Sequence, residues 1–225
     1  MEGEPRRRPT GYLFPAWTNK IATAALTGIL VMGGVVTFVV WYYFSPKHTD
    51  VGYQPVQPVP YSHKLHAGDL GIDCRYCHTN VEKSAHATVP PTQTCMNCHV
   101  TIKKDSAALL PVRESFAKNI PVEWVKVHKI PDFAYFDHSR HVVRGVGCVE
   151  CHGRVDQMEV VRQVQPLSMS WCLDCHRDPA PHLRPKEESV TQMDWKAPSD
   201  AASFGQDLVQ KYNIHPPTDC SGCHR

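Results

Sequence analysis

The sequence carries little net charge and few aromatic residues. Its formal charge is +2, and Arg6, Arg7 and Arg8 form its only dense basic run, so nothing in it indicates nucleic-acid binding. Only 9% of the 225 residues are aromatic, while 19 are Pro and 13 are Gly, which argues against a large conventional apolar core. Chains with thin cores need covalent or metal-linked groups to hold them together.

No cysteine is left over for a disulfide or a catalytic nucleophile, because all ten belong to five copies of one motif. The motif is Cys-x-x-Cys-His, and its copies, numbered first to fifth along the chain, are Cys74-Cys77-His78, Cys95-Cys98-His99, Cys148-Cys151-His152, Cys172-Cys175-His176 and Cys220-Cys223-His224. This is the attachment signature of c-type haem: two thiols bond to the porphyrin, and the histidine becomes the proximal ligand of iron. The sequence therefore predicts five covalently bound haem c groups.

Two other functions use Cys-x-x-Cys pairs. Structural zinc sites take four thiolates from two pairs, but they place no demand on the following residue, and five pairs fit them badly. Thioredoxin-like redox sites expect one motif in a βαβ unit, and no such pattern surrounds these copies. A histidine after every pair favours haem.

One long apolar run stands near the N-terminus. Residues 21–44 contain no charge and, as a helix, span ~36 Å, enough to cross a membrane. Trp17 and Trp41 lie near its two ends, as interfacial aromatic residues do. A cleaved signal peptide is the alternative, but the run is long and no typical cleavage site follows it. The basic residues 1–20 predict a cytoplasmic N-terminus, with the haem domain in the periplasm.

The predicted span 21–44 also lacks any acidic, basic or histidine side chain. Proton-coupled quinone sites inside a membrane usually need such a residue. We therefore expect no complete quinol site, and no catalytic site, in this chain alone. Residues 45–60 contain four prolines and are predicted to be an extended linker.

The remainder, residues 61–225, is predicted to be a small, largely irregular domain of short helices that holds the haems. It contains an internal repeat, with modules at 61–99 and 136–176, while the fifth motif at 220–224 stands outside it. Each module begins with aromatic-x-His-x-x-His and continues with two haem motifs. Between and after the modules, helices are predicted near Ser106–Ala117 and Ser203–Lys211.

The paired histidines that open each module are candidates for the distal side of the iron. Residues three apart share a helix face, so His63 with His66 and His138 with His141 could serve neighbouring haems. His128, in an apolar stretch, is the fifth candidate. Met158 or Met169 is the alternative ligand at one haem, where it would raise the potential. His86, His182 and His215 remain further candidates.

The strings TCMNCH at 94–99, VHKIPDFAYFDHSRH at 127–141 and MSWCLDCHR at 169–177 resemble the membrane-anchored pentahaem subunit of bacterial alternative complex III. The paired-histidine modules are similar to those of cytochrome c7/c3-like multihaem proteins. The resemblance implies partners: integral membrane subunits that bind quinol, an iron–sulfur subunit, and a monohaem cytochrome c or terminal oxidase as electron acceptor. It also implies distal ligation by His63, His66, His128, His138 and His141.

These observations predict a membrane-anchored cytochrome that passes electrons within a respiratory quinol oxidoreductase. Two rival functions remain. An anchored multihaem quinol dehydrogenase would oxidise quinol itself and feed a periplasmic reductase. A multihaem nitrite or hydroxylamine enzyme would need one haem with an open coordination position, which the number of candidate distal ligands disfavours.

Overall fold

The computed structural model describes residues 14–198 and 200–224, and the chain divides into two compact units at Ser45. The basic run Arg6–Arg8 lies outside the described residues, as does most of the predicted cytoplasmic segment.

The first unit contains a 3₁₀ turn, Ala16–Thr18, and the helix α1, Asn19–Tyr43. Together they form one run, Ala16–Tyr43, that is long and apolar enough to cross a membrane, and none of its central side chains is buried within the protein. A signal sequence has the same length and composition. The predicted apolar helix is therefore present, and its membrane crossing stays a prediction.

The second unit consists of short helices. The α-helices are α2 (Pro46–Thr49), α3 (Cys74–Cys77), α4 (Thr92–His99), α5 (Leu110–Lys118), α6 (His138–Val143), α7 (Cys148–His152), α8 (Met169–Arg177), α9 (Ala201–Lys211) and α10 (Cys220–Cys223). A π-helical turn covers Lys64–Asp69, and 3₁₀ turns cover Ala107–Leu109, Val155–Gln157 and Ala180–His182. Within residues 46–198 and 200–224 there is no β-strand, only two isolated bridges, Ala134 to His224 and Val146 to Leu183.

Two helices predicted outside the haem motifs are present. α5 follows the 3₁₀ turn Ala107–Leu109 and carries Pro111 in its first turn, where a missing N–H costs no intrahelical bond. α9 ends at Lys211 as predicted. Around α9 lies the main apolar cluster of the described residues, formed by Leu183, Leu208 and Ile214. It is small, as the composition predicted.

The two modules interlock through their backbones. The first module's Lys64 N–H donates to the carbonyl of Met158, 2.9 Å away, while the second module's His138 N–H donates to the carbonyl of Ala85, 3.2 Å away. At the first crossing Gly68 lies so close to the carbonyl of Asp156 that a Cβ atom would overlap it. Each histidine pair is thus positioned partly by the other module.

The segment predicted as a linker is hydrogen-bonded to the rest of the second unit. Gly52 N–H donates to Gln163 O at 2.8 Å, and Gln163 N–H donates to Tyr53 O at 3.0 Å. Farther along, the side-chain amide of Gln57 both donates to and accepts from the backbone of Val125. Residues 52–57 therefore pack against the chain around Val125 and Gln163.

Candidate haem-attachment sites

Every haem motif forms a helical turn. The residue before it often caps the turn: the side chains of Asp73 and Asp219 accept from backbone N–H groups of α3 and α10. Because side chains three apart lie on one helix face, both thiols of a motif point the same way, as attachment to one porphyrin requires. All ten cysteines are unpaired. No cluster of three or more metal-binding side chains is found within residues 14–198 and 200–224, so no four-thiolate site is assembled there.

Four of the five motif histidines make the same kind of hydrogen bond. In each, Nδ1 donates to a backbone carbonyl; the acceptors are Thr88 for His78 (2.7 Å), Ile102 for His99 (2.9 Å), Pro217 for His176 (2.7 Å) and Phe133 for His224 (3.1 Å). A carbonyl can only accept, so Nδ1 carries the proton and Nε2 keeps its lone pair. Metal-binding histidines are typically held this way, with the second nitrogen fixed by an outer partner.

His152, in the third motif, has a different partner. Its Nδ1 lies 3.4 Å from Nε2 of His128, and the two rings meet edge to face with centroids 4.4 Å apart. The structure therefore brings the predicted ligand His128 to the third motif. Phe133 lies against His224 of the fifth motif, with ring centroids 5.7 Å apart.

The paired histidines that open each module face motif histidines of the same module. Ring centroids are 6.2 Å apart for His66 and His99, and 6.0 Å apart for His141 and His176. The rings of His138 and His152 are parallel within 8° at 6.4 Å. His63 completes the pattern, since burial and then the nearby charge of His78 lower its pKa to about 4.

These separations fit bis-histidine haem. Two imidazoles that bind one metal ion from opposite sides, each through a bond of roughly 2 Å, have ring centres roughly 6 Å apart. In the second module His138 faces the first motif and His141 the second. In the first module His66 faces the second motif, and His63 is close enough to His78 for that charge to add to burial in lowering its pKa. The same assignment in two modules is what a duplicated two-haem unit requires.

Burial also favours the metal-binding form of these side chains. Desolvation lowers the pKa of His152 to about 3, and it lowers the pKa values of His141 and His128. Imidazole binds metal in its neutral form. At His63 the buried Nδ1 has no hydrogen-bond partner.

Two aromatic residues hold the histidine pairs. Tyr61 meets His63 edge to face at 4.8 Å and lies along His66 at 4.4 Å. Phe136 does the same with His138 at 4.7 Å and His141 at 4.5 Å. Their place in the repeat was visible in the sequence, but their role as packing platforms was not predicted. The signal was the aromatic residue two positions before each pair.

Electrostatic interactions between thiols indicate which motifs are neighbours. The thiols of Cys74 and Cys148 interact, which lowers the pKa of Cys74, raises that of Cys148, and links the first motif to the third. Elsewhere, burial raises a cysteine pKa and a thiol of the neighbouring motif raises it further: Cys95 acts on Cys77, Cys175 on Cys151, and Cys223 on Cys172. The resulting sequence of neighbours is second, first, third, fourth, fifth.

The remaining candidate ligands lie apart from these imidazole pairs. Met158 is buried beside Lys64, whereas Met169 is 67% exposed at the start of α8. His182 Nδ1 lies 2.9 Å from Oε2 of Glu150, whose carboxylate raises the pKa of the imidazole. The exposed His215 contacts Asn213 through Nε2, the atom that would bind iron. His86 is exposed as well.

Comparison with curated proteins shows a similarity over part of the chain. The chain is 31% identical over 100 residues to the menaquinone reductase, multiheme cytochrome c subunit, of Nitratidesulfovibrio vulgaris. The match covers 44% of this chain and 47% of the relative, so the chain spans about half the length of the curated relative that it matches. No family model matches the chain. The similarity supports a multihaem c-type cytochrome.

Proposed function

We propose that this protein is a membrane-anchored, five-haem c-type cytochrome that passes electrons as a subunit of a respiratory quinol:cytochrome c or quinol:oxidase oxidoreductase. The observation that carries the proposal is that each motif has a thiol that interacts electrostatically with a thiol of another motif, which supports an order of second, first, third, fourth, fifth. Each bound haem would supply a one-electron centre. The protein would set the order, ligation and burial of these centres.

The ten motif cysteines would hold the haems, with His78, His99, His152, His176 and His224 as proximal ligands. The distal ligands of the first four haems would be His63, His66, His138 and His141 respectively. Three of these assignments rest on centroid separations of 6.0–6.4 Å, and the fourth on the electrostatic effect of His78 on His63. Methionine ligation at one haem is the alternative that spectroscopy tests.

The two ends of this order would be the points of electron entry and exit. Of the ten cysteines only Cys98 and Cys220 are exposed, and they belong to the second and fifth motifs, which would be its ends. The third motif would be at the centre, where desolvation lowers the pKa of His152 to about 3. A partner at either end could then approach a haem closely, while the middle is shielded from water.

The anchor α1, with a cytoplasmic N-terminus, would keep the haem domain on the periplasmic side of the inner membrane. The relative's name, a menaquinone reductase subunit, supports a quinone-linked complex. Within that class we propose the alternative complex III type. Its partners would be membrane subunits that bind quinol, an iron–sulfur subunit, and a monohaem cytochrome c or oxidase as acceptor.

The test is to purify the tagged full-length protein from native membranes in mild detergent, with and without its partner subunits. We expect about five haems per chain by alkaline pyridine spectroscopy. Menaquinol should reduce the haems rapidly in the complex but not in the isolated chain, because the span 21–44 has no ionisable residue for proton transfer.

Other outcomes would favour one of the rival functions, a quinol dehydrogenase or a nitrite or hydroxylamine enzyme. Rapid haem reduction by menaquinol in the isolated chain would establish a quinol dehydrogenase and overturn the subunit role. A high-spin haem that binds nitrite or hydroxylamine and turns it over would indicate an enzyme. Absence of haem absorbance would refute the proposal as a whole.

A further inference from the structure

His128 stands out among the predicted ligands because it contacts the wrong side of an imidazole for sharing an iron. Iron would bind Nε2 of the proximal histidine, and the ring of His138 lies parallel to that of His152 with centroids 6.4 Å apart. His128 instead reaches Nδ1 of His152, at 3.4 Å. His152 thus has two imidazole neighbours, and the one at its Nδ1 is His128.

At the other four motifs the position of His128 is taken by a backbone carbonyl. The proximal Nδ1 atoms of those motifs donate to carbonyl oxygens over 2.7–3.1 Å. At the third motif the partner of Nδ1 is a side chain, 24 residues away in sequence. His128 therefore occupies the place that a backbone carbonyl takes at the other motifs, and a substitution can remove it.

We propose that His128 is a positioning residue of the third haem, which accepts the Nδ1 proton of the proximal ligand His152, rather than a distal ligand of any haem. The proposal rests on the proposed attachment of haem to the third motif. An acceptor at Nδ1 makes the proximal imidazole more basic and fixes its orientation. A more basic ligand stabilises ferric iron, so His128 would lower the potential of the central haem.

The test compares His128→Ala with His128→Gln in the full-length holoprotein. Gln keeps an acceptor oxygen, while Ala has none. In His128→Ala we expect all haems to remain low-spin by electron paramagnetic resonance, while one midpoint potential in a redox titration rises. His128→Gln should return that potential at least halfway to the wild-type value. His215→Ala, which removes an exposed histidine, should change neither readout.

The positioning role and the distal-ligand role of His128 predict different spectra for His128→Ala. If His128 were a distal ligand, His128→Ala would convert one haem to high-spin, which would overturn the proposal. Unchanged spin and unchanged potentials in His128→Ala would also overturn it. If the alanine variant fails to mature, His128→Leu fills the volume without an acceptor and replaces it. Wild-type protein without haem at the third motif would instead refute the proposed function on which the inference depends.

Discussion

In the module 61–99, Tyr61 lies against two histidines that face His78 and His99; in the module 136–176, Phe136 lies against two that face His152 and His176. The packing of the paired histidines is therefore nearly the same in the two modules. The first motif histidines differ, because His78 donates to a carbonyl whereas His152 contacts a side chain. Duplication has preserved the packing of the histidine pair, and the outer partner of the first motif histidine has diverged.

The largest expected effect comes from removing the second histidine of either pair. His66→Ala and His141→Ala should each convert one haem to high-spin, so that about a fifth of the low-spin signal is lost. Electron paramagnetic resonance of the oxidised protein measures this loss. The two variants should match in size and differ in the haem affected. A loss in only one of them would mean that the modules do not use their histidines equivalently.

The aromatic platforms should be nearly interchangeable. Phe136→Ala and Tyr61→Ala should each lower the free energy of unfolding by about 2–3 kcal/mol, since each removes a ring that packs on two imidazoles. Tyr61→Phe, which gives the first module the residue of the second, should change stability little. Thermal unfolding of the holoprotein measures both. A large loss for Tyr61→Phe would show that the phenol oxygen matters in the first module alone.

The residues that precede the first motif of each module should respond differently to alanine. Gly147 lies under the guanidinium of Arg184, which is 1% exposed and donates to the carbonyls of Ser189 and Gln192. Gly147→Ala should cost about 1–3 kcal/mol of stability, because the added methyl overlaps a group that has little room to move.

The counterpart of Gly147 in the first module is Asp73, where Asp73→Ala removes a cap and should cost roughly 1 kcal/mol. Chemical denaturation at neutral pH compares the two positions. Equal losses of stability at Gly147 and Asp73 would contradict the argument that a methyl group at Gly147 overlaps the Arg184 side chain.

The smallest expected effect is a pH dependence of local stability, confined to the first module. Hydrogen bonds from Arg75 lower the pKa of Asp73 to about 2. A depressed carboxyl pKa stabilises the fold above its unfolded value of about 3.9, and this stabilisation disappears as the pH falls towards 2. Asp73 is partly exposed, so roughly 1 kcal/mol is involved.

Amide hydrogen exchange between pH 4.5 and 2.5 measures the acid effect locally. We expect faster opening of α3 on acidification, but not of α7, whose cap residue is Gly147. Asp73→Asn should remove the difference between the two helices. Equal acceleration in α3 and α7 would mean that acid acts through some other group.

The sequence predicted the local parts of this molecule well. The apolar helix, α5, α9 and the small core follow from periodicity and composition, and the histidine pairs were recognised from their three-residue spacing. It could not predict that His128 lies against His152, because nothing in an apolar stretch identifies which distant ring will meet it. Nor could it predict that Gly52, Tyr53 and Gln57 pack against other segments, since prolines indicate extension whether a chain is free or docked.

The backbone crossings between modules have a consequence for biogenesis. Lys64 needs the carbonyl of Met158, and His138 needs the carbonyl of Ala85, so neither half of the domain can complete its fold alone. Some ninety residues separate Lys64 from Met158, so during synthesis the first of these hydrogen bonds can form only after that length of chain has been made. In the proposed cytochrome, this delay would keep the early cysteines accessible to the enzymes that attach haem until both halves fold together.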